Sequence, residues 1–87
     1  MEIIKIGAVW CPACLVMYKI WDKVREEYPN IKITSYDLDM DSLEIEKYNV
    51  GATLPVIIIT KEGKELKRLI GEKKFEDIKN AIIEVGN

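Results

Sequence analysis

Trp10-Cys11-Pro12-Ala13-Cys14 stands where one periodicity gives way to another. Before it, Ile3-Ile4-Lys5-Ile6 is short, β-branched and bounded by Gly7, which predicts a strand. After it, Cys14, Met17, Trp21, Val24 and Tyr28 recur at helical spacing. Lys19, Asp22, Lys23, Glu26 and Glu27 fill much of the opposite helix face. Pro12 suits the first turn of that helix, where its missing N–H costs nothing. Both cysteines therefore belong to the start of a helix. Unpaired N–H groups and a partial positive charge at that end stabilise a thiolate. Thiols so placed fall to a pKa of roughly 3.5–7.5, against about 8.5 when free. The spacing puts both sulfurs on one turn, within disulfide reach. Cys11 is expected at the exposed helix start, as the attacking thiolate. Cys14 begins the apolar stripe and is expected to be the buried, resolving thiol. Two unrelated core cysteines would be the plainer account of such residues, but the junction argues against it.

Beyond the stripe, Pro29-Asn30 stops the helix. Ile31 to Leu38 reads as a second strand, with Thr34, Tyr36 and Leu38 on one face. Asp41 or Ser42 can cap a short helix running through Tyr48. Gly51-Ala52-Thr53 reads as a loop, and Pro55 opens the apolar run Val56-Ile57-Ile58-Ile59-Thr60. So continuous a run predicts a strand buried on both faces. Lys61-Glu62-Gly63-Lys64 reads as a hairpin turn with glycine placed for a positive φ. Leu66, Arg68 and Ile70 alternate along a fourth strand that ends at Gly71. Phe75, Ile78, Ile82 and Val85 form the stripe of a last helix that ends at Gly86. The order is βαβαββα, an α/β architecture with a four-stranded mixed sheet and three helices. A helical crossover makes the first two strands parallel.

With 87 residues, the chain is expected to form one domain, residues 1–87, with no room for a second compact core. Hydrophobic residues make up 48% and charged residues 32%, a globular balance. The sequence contains 0 histidines, which excludes Ser-His-Asp and Cys-His nucleophile pairs and His-ligated metals. With 2 cysteines, one chain cannot supply a four-Cys zinc or iron–sulfur site. Thirteen basic residues against 15 acidic give a net charge of −2, not a nucleic-acid footprint. Asp37, Asp39 and Asp41 alternate with Leu38 and Met40, but no EF-hand glycine or distal Glu follows them. They read as a solvated strand end and a helix cap. No stretch approaches the apolar length of a membrane helix. Ile6 to Tyr18 carries no charge, yet Glu2 spoils a basic leader start and no small-residue cleavage site follows. The chain is therefore expected to be mature and cytoplasmic as it stands. Two cysteines this close in a reducing compartment indicate redox or metal chemistry more than a structural staple.

The sequence resembles the thioredoxin/glutaredoxin superfamily over nearly its whole length. The resemblance is carried by Trp10-Cys11-Pro12-Ala13-Cys14, by Thr53-Leu54-Pro55 before the third strand, and by Ile70-Gly71 after the fourth. It implies a minimal thioredoxin fold, shorter than a full thioredoxin by an N-terminal strand and helix. It also implies a cis peptide bond before Pro55, which would face the cysteines. Trp10 is thioredoxin-like, whereas Cys-Pro-x-Cys with Thr-x-Pro is glutaredoxin-like. Lys5 occupies the place of a buried Asp that serves thioredoxins as proton acceptor for the resolving thiol. Ser35 falls near the lysine that usually accompanies that Asp. Val9 and Trp10 stand where glutaredoxins carry a basic residue for glutathione. Gly71-Glu72-Lys73 replaces the glutaredoxin Gly-Gly-Asp segment that holds glutathione.

The resemblance thus implies a thiol–disulfide oxidoreductase that reduces protein disulfides through a Cys11–Cys14 redox-active disulfide. Trp10, Pro12, Ala13, Leu54, Pro55, Ile70 and Gly71 would bind substrate, with Trp10, Ala13, Leu54 and Ile70 as an apolar rim. Lys5 is a candidate tuning residue. No bound cofactor or metal is expected. The expected partners are protein disulfides and a thioredoxin-reductase-type flavoenzyme, with the chain a monomer and neither nucleic acid nor membrane involved. The alternatives are a glutathione-dependent glutaredoxin and, in another class, a metal or iron–sulfur carrier in which two chains share their thiolates.

Overall fold

The computed structural model describes residues 1–86; Asn87, the last residue of the expected domain, lies outside the described residues. Strand β1 (Glu2–Gly7) leads into helix α1 (Pro12–Val16) and then α2 (Tyr18–Glu27). Strand β2 (Lys32–Asp37) is followed by α3 (Ser42–Ile45) and a 3₁₀ turn over Glu46–Tyr48. Strands β3 (Val56–Lys61) and β4 (Lys64–Ile70) form a hairpin, and α4 (Phe75–Gly86) closes the chain. The sheet order is β2-β1-β3-β4. β1 pairs with β2 in parallel and with β3 antiparallel, and β3 pairs antiparallel with β4. The mixed four-stranded sheet is the one expected.

The helix count is not. Four α-helices stand where three were expected, because the first long helix is broken. Its backbone turns at Met17 (φ −86°, ψ 1°) and resumes at Tyr18. Neither proline nor glycine stands at the break; Met17 itself is fully buried. The short helix before β3 also ends early, giving way to the 3₁₀ turn and then to Asn49 in a left-handed conformation (φ 52°).

Alternation along the two inner strands divides the core in two. Ile3, Ile57 and Ile59 face Met17 at the helix break, Trp21 and Val24 of α2, and Ile78, Ala81 and Ile82 of α4. Ile4, Ile6, Val56 and Ile58 turn to the other side, against Ala8, Cys11, Ile45 and Leu54. Side chains of a strand alternate between faces, so β3 supplies both cores and needs apolar residues throughout. Val56, Ile57, Ile58 and Ile59 are accordingly all buried. The turn between β3 and β4 places both Glu62 (φ 54°) and Gly63 (φ 80°) in positive φ, a backbone twist that matches the strands it joins. This arrangement brings the C-terminal end of β1, the start of α1 and the start of β3 to one edge of the molecule.

Candidate active site

Cys11 is the N-cap of α1, with extended backbone (φ −89°, ψ 110°) and Pro12 directly after it. The Cys14 backbone N–H donates to Cys11 Sγ at 3.2 Å. The sulfur thus takes the place of the hydroxyl or carboxylate oxygen that usually caps a helix. That donor and the helix end both favour negative charge on Cys11. Cys14 is biased the other way. Burial, and after it a hydrogen bond of its thiol with Cys11, push Cys14 up from 9.0 to about 11. Burial thus keeps Cys14 protonated, and Cys11 is the sulfur that accepts a backbone hydrogen bond. Both cysteines are free thiols.

Their burial differs from the sequence expectation. Cys11 was expected at an exposed helix start, yet it retains only 4% exposure, whereas Cys14 is half-buried. Capping is the reason: the Cys11 side chain folds back over the helix end and packs in the cluster of Ala8, Ile45 and Leu54. Leu54 differs likewise. It was expected on an exposed rim but is 8% exposed and belongs to the same cluster. Trp10 and Ile70 do present apolar surface, at 58% and 52% exposure. Pro12 is exposed and Ala13 half-buried.

The peptide bond between Leu54 and Pro55 is cis. Pro55 is buried and lines the same cleft as Cys14. Its carbonyl accepts the Gly71 N–H at 2.8 Å, which ties the end of β4 to the start of β3. Gly71 makes that approach at φ 91°, a conformation open mainly to glycine. Lys5 lies on the face of β1 that carries Ile3 and Gly7, beneath the helices. Its Nζ is 5.2 Å from the Trp21 ring centroid and 6.0 Å from that of Tyr18.

Two contributors escaped sequence reasoning. Gly7 was read only as a strand terminator. A Cβ there would lie 2.9 Å from Cys14 Sγ, so its hydrogen is what gives the resolving sulfur room. The available signal was parity: Gly7 shares a strand face with Ile3 and Lys5. The second is Asp39, whose Oδ2 accepts the Trp10 indole N–H at 2.8 Å and fixes the ring beside the cysteines. The neighbouring aspartates serve the backbone. Asp37 Oδ1 accepts from the N–H groups of Asp39 and Met40, and Asp41 Oδ2 accepts from that of Asp37. Asp41 stands at the N-cap of α3 without a side-chain cap bond. Among the described residues no cluster of three or more Cys, Asp or Glu side chains is arranged to hold a metal ion.

A capped, low-exposure thiol beside a second thiol of raised pKa, with a cis-proline strand entry alongside, is suited to disulfide exchange. The sequence profile of the thioredoxin family matches residues 1–84. The chain belongs to the thioredoxin family. It is 31% identical to a thioredoxin of Chlamydia trachomatis over 90% of this chain and 76% of that one. It is 30% identical to a thioredoxin of Chlamydia pneumoniae, covering 94% and 79% respectively. Among solved structures, thioredoxin from Trypanosoma brucei brucei superposes with a TM-score of 0.88 at 27% identity, covering 97% of this chain and 73% of that chain. As a member of this family, the protein is a thiol–disulfide oxidoreductase, and thioredoxins need no bound cofactor.

Proposed function

We propose that this protein reduces disulfide bonds in other proteins, with Cys11 as nucleophile and Cys14 as resolving thiol. The observation that carries the assignment is the 3.2 Å hydrogen bond from the Cys14 N–H to Cys11 Sγ. A donor aimed at one sulfur stabilises its anion, and the thiolate is the attacking species. Cys11 attacks one sulfur of a substrate disulfide and expels the other as a thiolate, leaving a mixed disulfide. Cys14 then attacks Cys11, forming the internal disulfide and expelling the second substrate thiolate. Two electrons pass from the cysteine pair to the substrate, whose sulfurs take up protons from solvent. The exposed faces of Trp10 and Ile70, with the half-buried Ala13, support docking of an extended apolar segment near Pro55.

A flavin-containing reductase supplied by NADPH regenerates the dithiol, and the protein works as a monomer in the cytoplasm. The reductase is favoured over glutathione because Val9 and Glu72-Lys73 replace the groups that would hold glutathione. The experiment is insulin reduction run in parallel with a thioredoxin-reductase and a glutathione recycling system. The expected result is turnover with the reductase and loss of turnover in Cys11→Ser. Turnover supported by glutathione alone overturns the partner assignment. Absence of reduction by the chemically prepared dithiol, or a metal chromophore in protein purified without chelator, overturns the function.

A further inference from the structure

Lys5 is a charged side chain on a strand face otherwise given to the core. Its face-mates are Ile3, which is fully buried, and Gly7, over which Cys14 Sγ sits. Its neighbours across the sheet are Ser35 of β2 and Ile57 of β3. The ammonium rests between the Tyr18 and Trp21 rings, an arrangement that holds a cation without neutralising it. Among the described residues it makes no ion pair. It opens on a cleft of about 270 Å³ that Cys14 also lines, together with Tyr18, Ser35, Asp37 and Asp41. Burial holds its pKa below 10.5, and Arg25 of α2 adds to this. Cys14 and Asp22 act in the opposite sense. Of these neighbours, Cys14 is the one whose charge must change during disulfide exchange.

We infer that Lys5 is a positioning residue whose ammonium serves as the counter-charge for the Cys14 thiolate when the mixed disulfide is resolved. The inference rests on the exchange mechanism proposed above. In this step the Cys14 thiol gives its proton to water entering the open cleft. A lone pair of the resulting thiolate forms a bond to Cys11 Sγ. The bond between Cys11 and the substrate sulfur breaks, and its electron pair leaves on the substrate sulfur, which takes a proton from solvent. Cys11 and Cys14 are oxidised to a disulfide and the substrate sulfur is reduced to a thiol. Lys5 exchanges no proton. Its charge lowers the energy of the anion on Cys14, opposing the burial that raises this thiol. A carboxylate at the same position would act by taking the proton; an ammonium acts by welcoming the charge left behind.

The test is a titration that needs no turnover. In Cys11→Ser the only thiol is Cys14, and its ionisation is followed by thiolate absorbance and by the pH dependence of iodoacetamide alkylation. Lys5→Met in this background is expected to move the Cys14 midpoint upward. Each unit of rise cuts the thiolate fraction at neutral pH about tenfold. A more basic thiolate is also more nucleophilic, with a Brønsted coefficient of about 0.4–0.5, so resolution slows only about threefold. Lys5→Gln repeats the shift with a polar side chain, and Lys5→Arg restores the midpoint by restoring the charge. An unchanged midpoint in both Met and Gln variants overturns the inference. So does an Arg variant that behaves like Met, since shape and not charge would then be the cause. If insulin reduction fails while the titration shifts as expected, the function is wrong and the charge coupling stands. If reduction proceeds and the titration does not move, the reverse holds.

Discussion

Gly7 and Cys14 are packed so closely that one added methyl group would come within 2.9 Å of the resolving sulfur. The next atom it would meet is Cys14 Cβ at 3.5 Å, so the sulfur has to rotate away. Gly7→Ala is therefore expected to slow resolution of the mixed disulfide more than it slows the first attack by Cys11. Overpacking of this kind costs about 1–3 kcal/mol. Stopped-flow measurement of the two steps, with a thermal melt of the reduced protein, checks both parts. Equal slowing of both steps contradicts the packing account.

The capping bond assigns different roles to two chemically identical side chains. Iodoacetamide is expected to label Cys11 before Cys14 at neutral pH, although Cys11 is the less exposed of the two. Cys11→Ser should abolish turnover, and Cys14→Ser should accumulate a mixed disulfide with substrate, visible by mass spectrometry. Preferential labelling of Cys14 would reverse the roles and show that exposure outweighs ionisation.

The raised pKa of Cys14 makes the stability of the reduced protein depend on alkaline pH. The folded thiol ionises near 11, whereas an unfolded one ionises near 9.0. The stabilisation is therefore complete below about 9.0 and is lost as pH rises toward about 11. Solvent reaches Cys14, which limits the effect to less than about 1 kcal/mol. Lys5 acts with opposite sign, because its folded pKa lies below its unfolded one and stability is gained as pH rises through that interval. The informative comparison is thus reduced native protein against Cys14→Ser, which keeps Lys5. Over pH 8–11 the thermal midpoint of the native protein should fall more steeply, and parallel curves would contradict the assignment.

Asp39 fixes the Trp10 ring from an exposed position in the turn after β2. Asp39→Ala should release the indole N–H and let the ring wander. The exposed site limits the stability loss to about 1 kcal/mol. The effect belongs in substrate docking: the KM for a protein disulfide should rise several-fold with little change in the rate of reaction with a small disulfide reagent. A variant that loses both activities equally would place Asp39 in the chemistry and not in the docking surface.

The parallel pairing of the first two strands, the hairpin of the last two and the position of the cysteine pair were legible because each rests on a local signal; the antiparallel pairing of β1 with β3, between strands far apart in the chain, was not. The unbroken Val56–Ile59 run can only be a strand with two covered faces, and Glu62-Gly63 could only turn. The break at Met17 left no such trace, because the stripe Cys14, Met17, Trp21, Val24 and Tyr28 continues through it. Periodicity records which side chains face the core and is blind to a change of axis between them. The burial of Cys11 was hidden for a different reason. It follows from a rotamer that a hydrogen bond selects, and a one-dimensional pattern carries the position of a residue but not its χ1. Asp39 was masked by its neighbours: three alternating carboxylates look like one solvated cluster until each is seen to hold a different donor.

The cis peptide at Leu54–Pro55 leads straight into β3, and β3 is paired on both edges and covered on both faces. Amide protons of Ile57, Ile58 and Ile59 should therefore be among the last to exchange with heavy water, opening only when the whole molecule does. Those of the exposed Gly51, Ala52 and Thr53 should exchange far sooner. The boundary between these regimes falls at the proline beside the cysteines. One side of the redox centre is thus anchored to the least compliant part of the molecule, while the chain that leads up to it is free to yield to an incoming polypeptide.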